Sequence, residues 1–170
     1  NPNKYYYPVD RYNAHKNKWR HIDKPRKILK EAQKAILQSF FEKIHYPEYF
    51  YSGVKKRSHI SAAKKHVGKY EVLTMDIKDF FPSVRHTQVH KFFLENTQND
   101  AIATILTKLT TLNGHIPQGA PTSTLLAYLS KWSMYNEIYE LCQQSGHAFT
   151  VVVDDLTISG TKPRDLIEPI

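Results

Sequence analysis

One cysteine, Cys142, stands among 170 residues. A lone thiol can close no intrachain disulfide and can build no thiolate zinc cluster. No apolar run approaches the ~20 residues that a helix needs to cross a bilayer. The N-terminus is polar and aromatic, without the apolar segment of a signal peptide. A cytoplasmic protein with no membrane partner is therefore the expectation. Internal repeats and low-complexity linkers are also missing. What the chain has in excess is positive charge: Lys and Arg total 24 against 16 Asp and Glu, a formal charge of +8. Such a surface attracts polyanions and speeds their capture, although solubility alone would account for it. The hydrophobic fraction of 41% is enough for a packed core, and the length suits one domain or a domain with an attached lobe.

The chain opens on a predicted hairpin. Tyr5 to Val9 reads as one strand, Asn13 to Lys18 as a polar turn, and Trp19 to Ile22 as the return strand. Asp23 and Pro25 signal a helix start, with the N-cap at Asp23 or Lys24. Leu29, Ala32, Ile36 and Phe40, joined by Ile28, Leu37 and Phe41, follow at helical spacing and predict a helix that ends before Pro47. Tyr49 to Gly53 reads as a loop, and a short helix is expected from Ser58 to Gly68. Val72 to Met75 predicts a buried strand running into Asp76. Helices are expected over 86–96 and 99–112, a Pro/Gly loop over Ile116 to Thr122, and one long helix from about Ser123 to Gln144. Ala148 to Val153 predicts a strand, Asp154-Asp155 an acidic turn, and Leu156 to Ser159 a return strand. This order suggests an α+β domain, an antiparallel sheet covered by helices on one face.

Three segments carry chemistry. Asp154-Asp155 follows the β-branched run Val151-Val152-Val153 with no spacer. Two adjacent carboxylates on a tight turn disfavour joint ionisation. A divalent cation relieves that cost, and carboxylate oxygens are what Mg²⁺ prefers. Standing alone, the pair reads as a solvated turn. Asp76 also ends an apolar strand. If that strand and the Val151-Val152-Val153 strand are neighbours, Asp76 and Asp154 converge at one sheet edge, an arrangement that suits two metals ~3.5–4 Å apart in a phosphoryl transfer. In Ile116-Pro117-Gln118-Gly119-Ala120-Pro121-Thr122-Ser123 the prolines stiffen the loop. Gly119 offers close approach to a nucleotide or template base, and Gln118 can hydrogen-bond a sugar or base edge. As an isolated feature this is equally a helix-initiating loop. The nine histidines show no metal-ligand spacing; His86 and His90 read as surface residues.

Together, Met75-Asp76-Ile77-Lys78-Asp79-Phe80-Phe81-Pro82-Ser83, the Gln118-Gly119 loop, and Phe149 through Asp154-Asp155 to Gly160 resemble motifs A, B and C of reverse transcriptases, in that order. The resemblance is closest to bacterial retron-type enzymes and more distant to group II intron-type enzymes, and runs from about Tyr7 to Gly160. It implies a right-hand polymerase palm with fingers. The fingers would occupy 1–70 with part of 86–122, and the palm 71–170. It implies an RNA-directed DNA polymerase that joins dNTPs to a DNA or RNA primer on an RNA template, with two Mg²⁺ ions or Mn²⁺ in their place. Asp76, the carbonyl of Ile77, Asp154 and Asp155 would hold the metals, with Asp155 the less tightly bound. Asp79, Phe80, Phe81, Gln118 and Gly119 would line the nucleotide, and Phe81 would exclude a ribose 2′-OH by bulk. A partnership with a structured non-coding RNA and a role in antiviral defence come with the retron likeness.

The fingers likeness rests on Lys18 to Pro25. It would place Arg20, with Arg11 across the hairpin, on the incoming triphosphate, where a planar permanent charge suits phosphate oxygens. Lys55, Lys56 and Arg57 would meet nucleic-acid phosphates; for all of these a solvated basic face is the competing reading, and Trp19 could equally be a core residue. One departure stands out: Val152 occupies the position where the family usually has an aromatic. Ten residues, Thr161 to Ile170, follow the last motif, and the expectation is a palm incomplete at its C-terminus with no thumb. Two other classes compete: an RNA-binding or maturation module keeping the fold without processive synthesis, and an RNA-templated RNA polymerase, against which Phe81 counts.

Overall fold

The computed structural model describes residues 2–14 and 17–167. Among them the chain clusters into two compact units, and each is drawn from two separate stretches. The first takes residues up to Ile44 with Asp79–Ser130; the second takes His45–Lys78 with the residues from Lys131 onward.

The first unit opens with the hairpin. β1 (Tyr6–Asn13) pairs antiparallel with β2 (Lys18–Pro25), in register from Tyr6↔Pro25 to Asn13↔Lys18. Of the turn expected between them, His15 and Lys16 lie outside the described residues. β2 runs through Asp23 and Pro25, so neither Asp23 nor Lys24 caps a helix; the N-cap of α1 (Lys27–Ser39) is Arg26, which makes no side-chain cap. α1 buries Leu29, Gln33 and Ile36 and leaves Ile28 77% exposed. Gln33 is polar yet fully buried because its amide donates to the Tyr6 hydroxyl and to the Leu109 carbonyl, both at 2.8 Å. α3 (His86–Thr97) and α4 (Asp100–Thr110) pack on each other, and Asn99 caps α4 by accepting from the Ile102 N–H. Phe93 of α3 meets Phe40 edge-on at 5.6 Å between ring centroids.

The long helix expected over 123–144 is two helices, α5 (Ser123–Leu129) and α6 (Trp132–Gln144). Neither glycine nor proline marks the break. The Ser130 hydroxyl bonds the Leu126 carbonyl at 2.8 Å, beside the Ser130 N–H on the same oxygen. Back-bonding of this kind bends helices.

The second unit is built on three antiparallel strands in the order β3-β5-β4: β3 (Glu71–Asp76), β4 (Ala148–Val152) and β5 (Asp155–Gly160). α6 and α2 (His59–Lys64) pack against β4. α2 starts at Ser58 through a capping box with Ser61, as the expected start at Ser58 requires, but stops at Lys64 rather than Gly68. β3 was expected to be buried. It is an edge strand with Val72 54% exposed, because β5 flanks it on one side only among the described residues. The stretch read as a loop, Tyr49 to Gly53, extends the sheet beyond β4: the Val151 N–H donates to the Tyr49 carbonyl at 2.8 Å and the Tyr51 N–H to the Val151 carbonyl at 3.0 Å.

Candidate metal centre

β5 is the strand that assembles the carboxylates. Convergence was conditional on β3 and β4 being neighbours; β5 lies between them, and the carboxylates meet through it. Asp76 closes β3, Asp155 opens β5, and the two are register partners. Asp154 stands with Val153 in the two-residue turn that Val152↔Asp155 closes. The Ile77 N–H donates to the Asp154 carbonyl at 3.0 Å, so the chain past β3 is tied to the turn as well. Asp76, Asp154 and Asp155 each bring a carboxylate oxygen to a common place, all within 4.8 Å of one another.

These side chains fit a hard divalent cation. Mg²⁺ takes oxygen ligands at about 2.0–2.1 Å in an octahedron and keeps waters and substrate phosphates among them. Asp76 and Asp155 are exposed and Asp154 half-buried, which leaves room for such ligands. Three anionic groups this close repel one another, and a cation offsets that repulsion. The negative field also reaches a neighbouring side chain. Tyr135, a fully buried residue of α6, has its phenol pushed far above the ordinary range, first by burial and then by the Asp154 carboxylate.

The turn itself is unusual. Val153 has φ +60, in the left-handed region. Positive φ at the first central residue belongs to the type II′ pattern, where glycine is the usual occupant, and a β-branched side chain is a poor fit there. The Val153 N–H donates to the Ser52 hydroxyl at 2.6 Å. Neither Ser52 nor Tyr135 was singled out from the sequence. Only the Ser52-Gly53 pair, a turn signal, hinted at the first.

The remaining site residues fall as follows. Arg11 and Arg20 are register partners on the β1–β2 hairpin, both exposed. Trp19 is no core residue: it is 65% exposed and lies 5.2 Å from the Tyr12 ring. Asp79 has φ +50 and starts the turn in which its carbonyl accepts the Ser83 N–H at 2.8 Å. Phe80 is buried at 3% exposure, while Phe81 is half-buried and meets it edge-on. The Gln118 carbonyl accepts the Asp23 N–H at 2.8 Å. A Cβ at Gly119 would meet Ile22 and Asp23 of β2. Lys55 and Lys56 are exposed. The Arg57 guanidinium donates to the carbonyls of Pro47, Phe50 and Tyr46, so its donors face the backbone rather than a phosphate.

Residues 10–170 match the family described as reverse transcriptase (RNA-dependent DNA polymerase). Among curated proteins the chain is similar to the retron Se72 reverse transcriptase of Salmonella heidelberg, 34% identical over 85% of this chain and 38% of the relative. It is also similar to the retron Ec86 reverse transcriptase of Escherichia coli, 29% identical over 95% of this chain and 50% of the relative. The chain thus spans half or less of the length of these relatives. Among solved structures, telomerase from Candida albicans in complex with a telomeric RNA fragment matches with a TM-score of 0.57 over 96% of this chain and 39% of that one. At 12% identity that likeness concerns the fold, which is the α+β palm-and-fingers fold of polymerases.

Proposed function

The chain belongs to the reverse transcriptase family, and from that premise we propose that it carries the metal site of an RNA-directed DNA polymerase of the bacterial retron type. The observation that carries the reading is the meeting of Asp76, Asp154 and Asp155 within 4.8 Å. In this reading Asp76, Asp154, Asp155 and the Ile77 carbonyl hold two Mg²⁺ ions, with Mn²⁺ as a substitute. Bound there, the ions lower the pKa of the attacking 3′-OH and offset charge on the pyrophosphate leaving group. The chain's own part is to hold those carboxylates in place.

The partners are an RNA template, a DNA or RNA primer, dNTPs and a structured non-coding RNA, in a bacterial cytoplasm. The names of the retron relatives support this choice, and the described residues contain no helix long and apolar enough to cross a membrane. Arg20 and Arg11 bind the triphosphate; Asp79, Phe80, Gln118 and Gly119 shape the nucleotide site; Phe81 rejects the 2′-OH. Lys55 and Lys56, with the Arg57 charge behind them, attract nucleic-acid phosphates. Fingers over 1–70 with part of 86–122, and palm over 71–170, is the functional division that goes with these roles.

The test is primer extension by the full-length protein on an RNA template with Mg²⁺ and dNTPs, beside Asp154→Ala. Extension by the wild type and none by the variant is expected. A wild type that binds RNA but adds no nucleotide would leave only a binding module.

A further inference from the structure

We propose that Ser52 is a positioning residue for the metal-binding hairpin, acting through the backbone of Val153. This rests on the reading of Asp154 and Asp155 as metal ligands. The tip has two residues, Val153 and Asp154, between the paired Val152 and Asp155. Where the Asp154 carboxylate lies depends on the dihedrals of Val153, which sits at φ +60 although its side chain is β-branched. A residue held there persists only when its surroundings over-determine it.

The surroundings here are specific. The Ser52 hydroxyl accepts the Val153 N–H at 2.6 Å and so fixes the plane of the peptide from which the turn starts. Ser52 is itself buried, at 6% exposure, and is not free to follow the turn if the turn relaxes. It is held by the strand-like addition to β4: Tyr49 and Tyr51 bond both polar groups of the Val151 backbone, and Phe50 between them is fully buried. Arg57 then pins that addition from behind through the Tyr46, Pro47 and Phe50 carbonyls. A chain of contacts therefore runs from Arg57 through the segment 46–52 to Val153, and the next residue is Asp154.

Glycine supplies the experiment, because it takes positive φ at no steric cost and has no need of a prop. In the full-length protein, Ser52→Ala is expected to lower kcat for nucleotide addition about tenfold, the size of one lost hydrogen bond to a constrained group. The KM for dNTP should change less than about twofold, because Ser52 is buried at 6% exposure. In a Val153→Gly background the same Ser52→Ala substitution should lower kcat less than about twofold. An equal loss in both backgrounds would overturn the proposal, since Ser52 would then act other than through the conformation of Val153. A second readout needs no activity: the Val153 amide should exchange slowly with solvent in the wild type and at least about tenfold faster in Ser52→Ala. Unchanged exchange overturns the proposal. A wild type without primer extension overturns the functional reading instead, and amide exchange then decides the role of Ser52 by itself.

Discussion

Gly119 lies so close to Ile22 that a Cβ at position 119 would stand 2.5 Å from the Ile22 Cγ2 and 3.2 Å from the Asp23 carbonyl oxygen. With φ at +118 the backbone is also outside the range of ordinary L-residues. Both constraints come from the fold, because the Gln118 carbonyl accepts the Asp23 N–H and holds the loop against β2. Gly119→Ala should therefore destabilise the protein by about 2–3 kcal/mol, from strain plus displacement of Ile22. In a chain of this size that is a fall in Tm of roughly 5–10 °C. A thermal melt within a degree of wild type, with nucleotide affinity lost, would instead return Gly119 to a purely ligand-facing role.

The elements were legible where local signals are strong. Ser58 marks a helix start, Val151-Val152-Val153 announces a strand, and the three aspartates were placed by their likeness to motifs A and C. What could not be read depends on partners distant in sequence. Ile102 and Ile105 carry the apolar signal of α4, yet both are exposed and Ala103, Thr107 and Thr110 face inward. The threonines are tolerated there because Thr107 and Thr110 bond carbonyls of their own helix, those of Ala103 and Leu106. Gln33 looks like a surface residue until Tyr6 and Leu109 are seen to satisfy it. Ser52 acquires a role only through a bond to a residue 101 positions away, and no periodicity encodes that.

Arg11 and Arg20 stand opposite each other in the β1–β2 register, so two like charges share one face of a hairpin. Such a pair disfavours the hairpin and favours an anion bound between the two forks. Arg20→Ala should raise the KM for dNTP about ten- to a hundredfold, the worth of a charged hydrogen bond to phosphate, and should leave Tm unchanged or slightly higher. Arg20→Lys should recover only part of the loss, since an ammonium lacks the planar fork. A lower Tm with unaltered KM would mean that the arginines serve the hairpin and not a triphosphate.

Phe80 and Phe81 divide their work by burial. Phe80 is core at 3% exposure, and Phe81 keeps part of its ring accessible. Phe81→Ala should raise ribonucleotide incorporation relative to dNTP by about tenfold or more, since pocket volume is a discriminator of that order. Phe80→Ala should cost stability, about 3–5 kcal/mol, without the same change in sugar preference. Steady-state incorporation of one rNTP and its matching dNTP measures both. An identical ratio for wild type and Phe81→Ala would make both rings packing residues.

His66 joins the two inner strands of the sheet: Nδ1 meets the Ser159 hydroxyl at 2.7 Å and Nε2 the Thr150 hydroxyl at 2.8 Å. Thr150 lies on β4 and Ser159 on β5, both buried. A neutral ring donates at one nitrogen and accepts at the other, and hydroxyls can answer in either sense. Burial holds the His66 pKa below its ordinary value, and the Lys69 charge adds to that. The folded state therefore prefers the neutral ring, and the unfolded chain takes up the proton first as pH falls. The contribution of His66 is present above the unfolded pKa of about 6.5 and is lost as pH falls below it toward the folded value. His21 acts in the opposite sense, because its hydrogen bond to Asp10 raises its pKa, so the whole-protein profile mixes both and a difference between variants is needed. His66→Gln should lower Tm at pH 7.5 by roughly 2–4 °C, from loss of about 1 kcal/mol of hydrogen bonding. It should also fall less steeply than wild type between pH 7.5 and 5.5. Parallel Tm profiles for the two proteins across that range would show that protonation of His66 is not linked to folding.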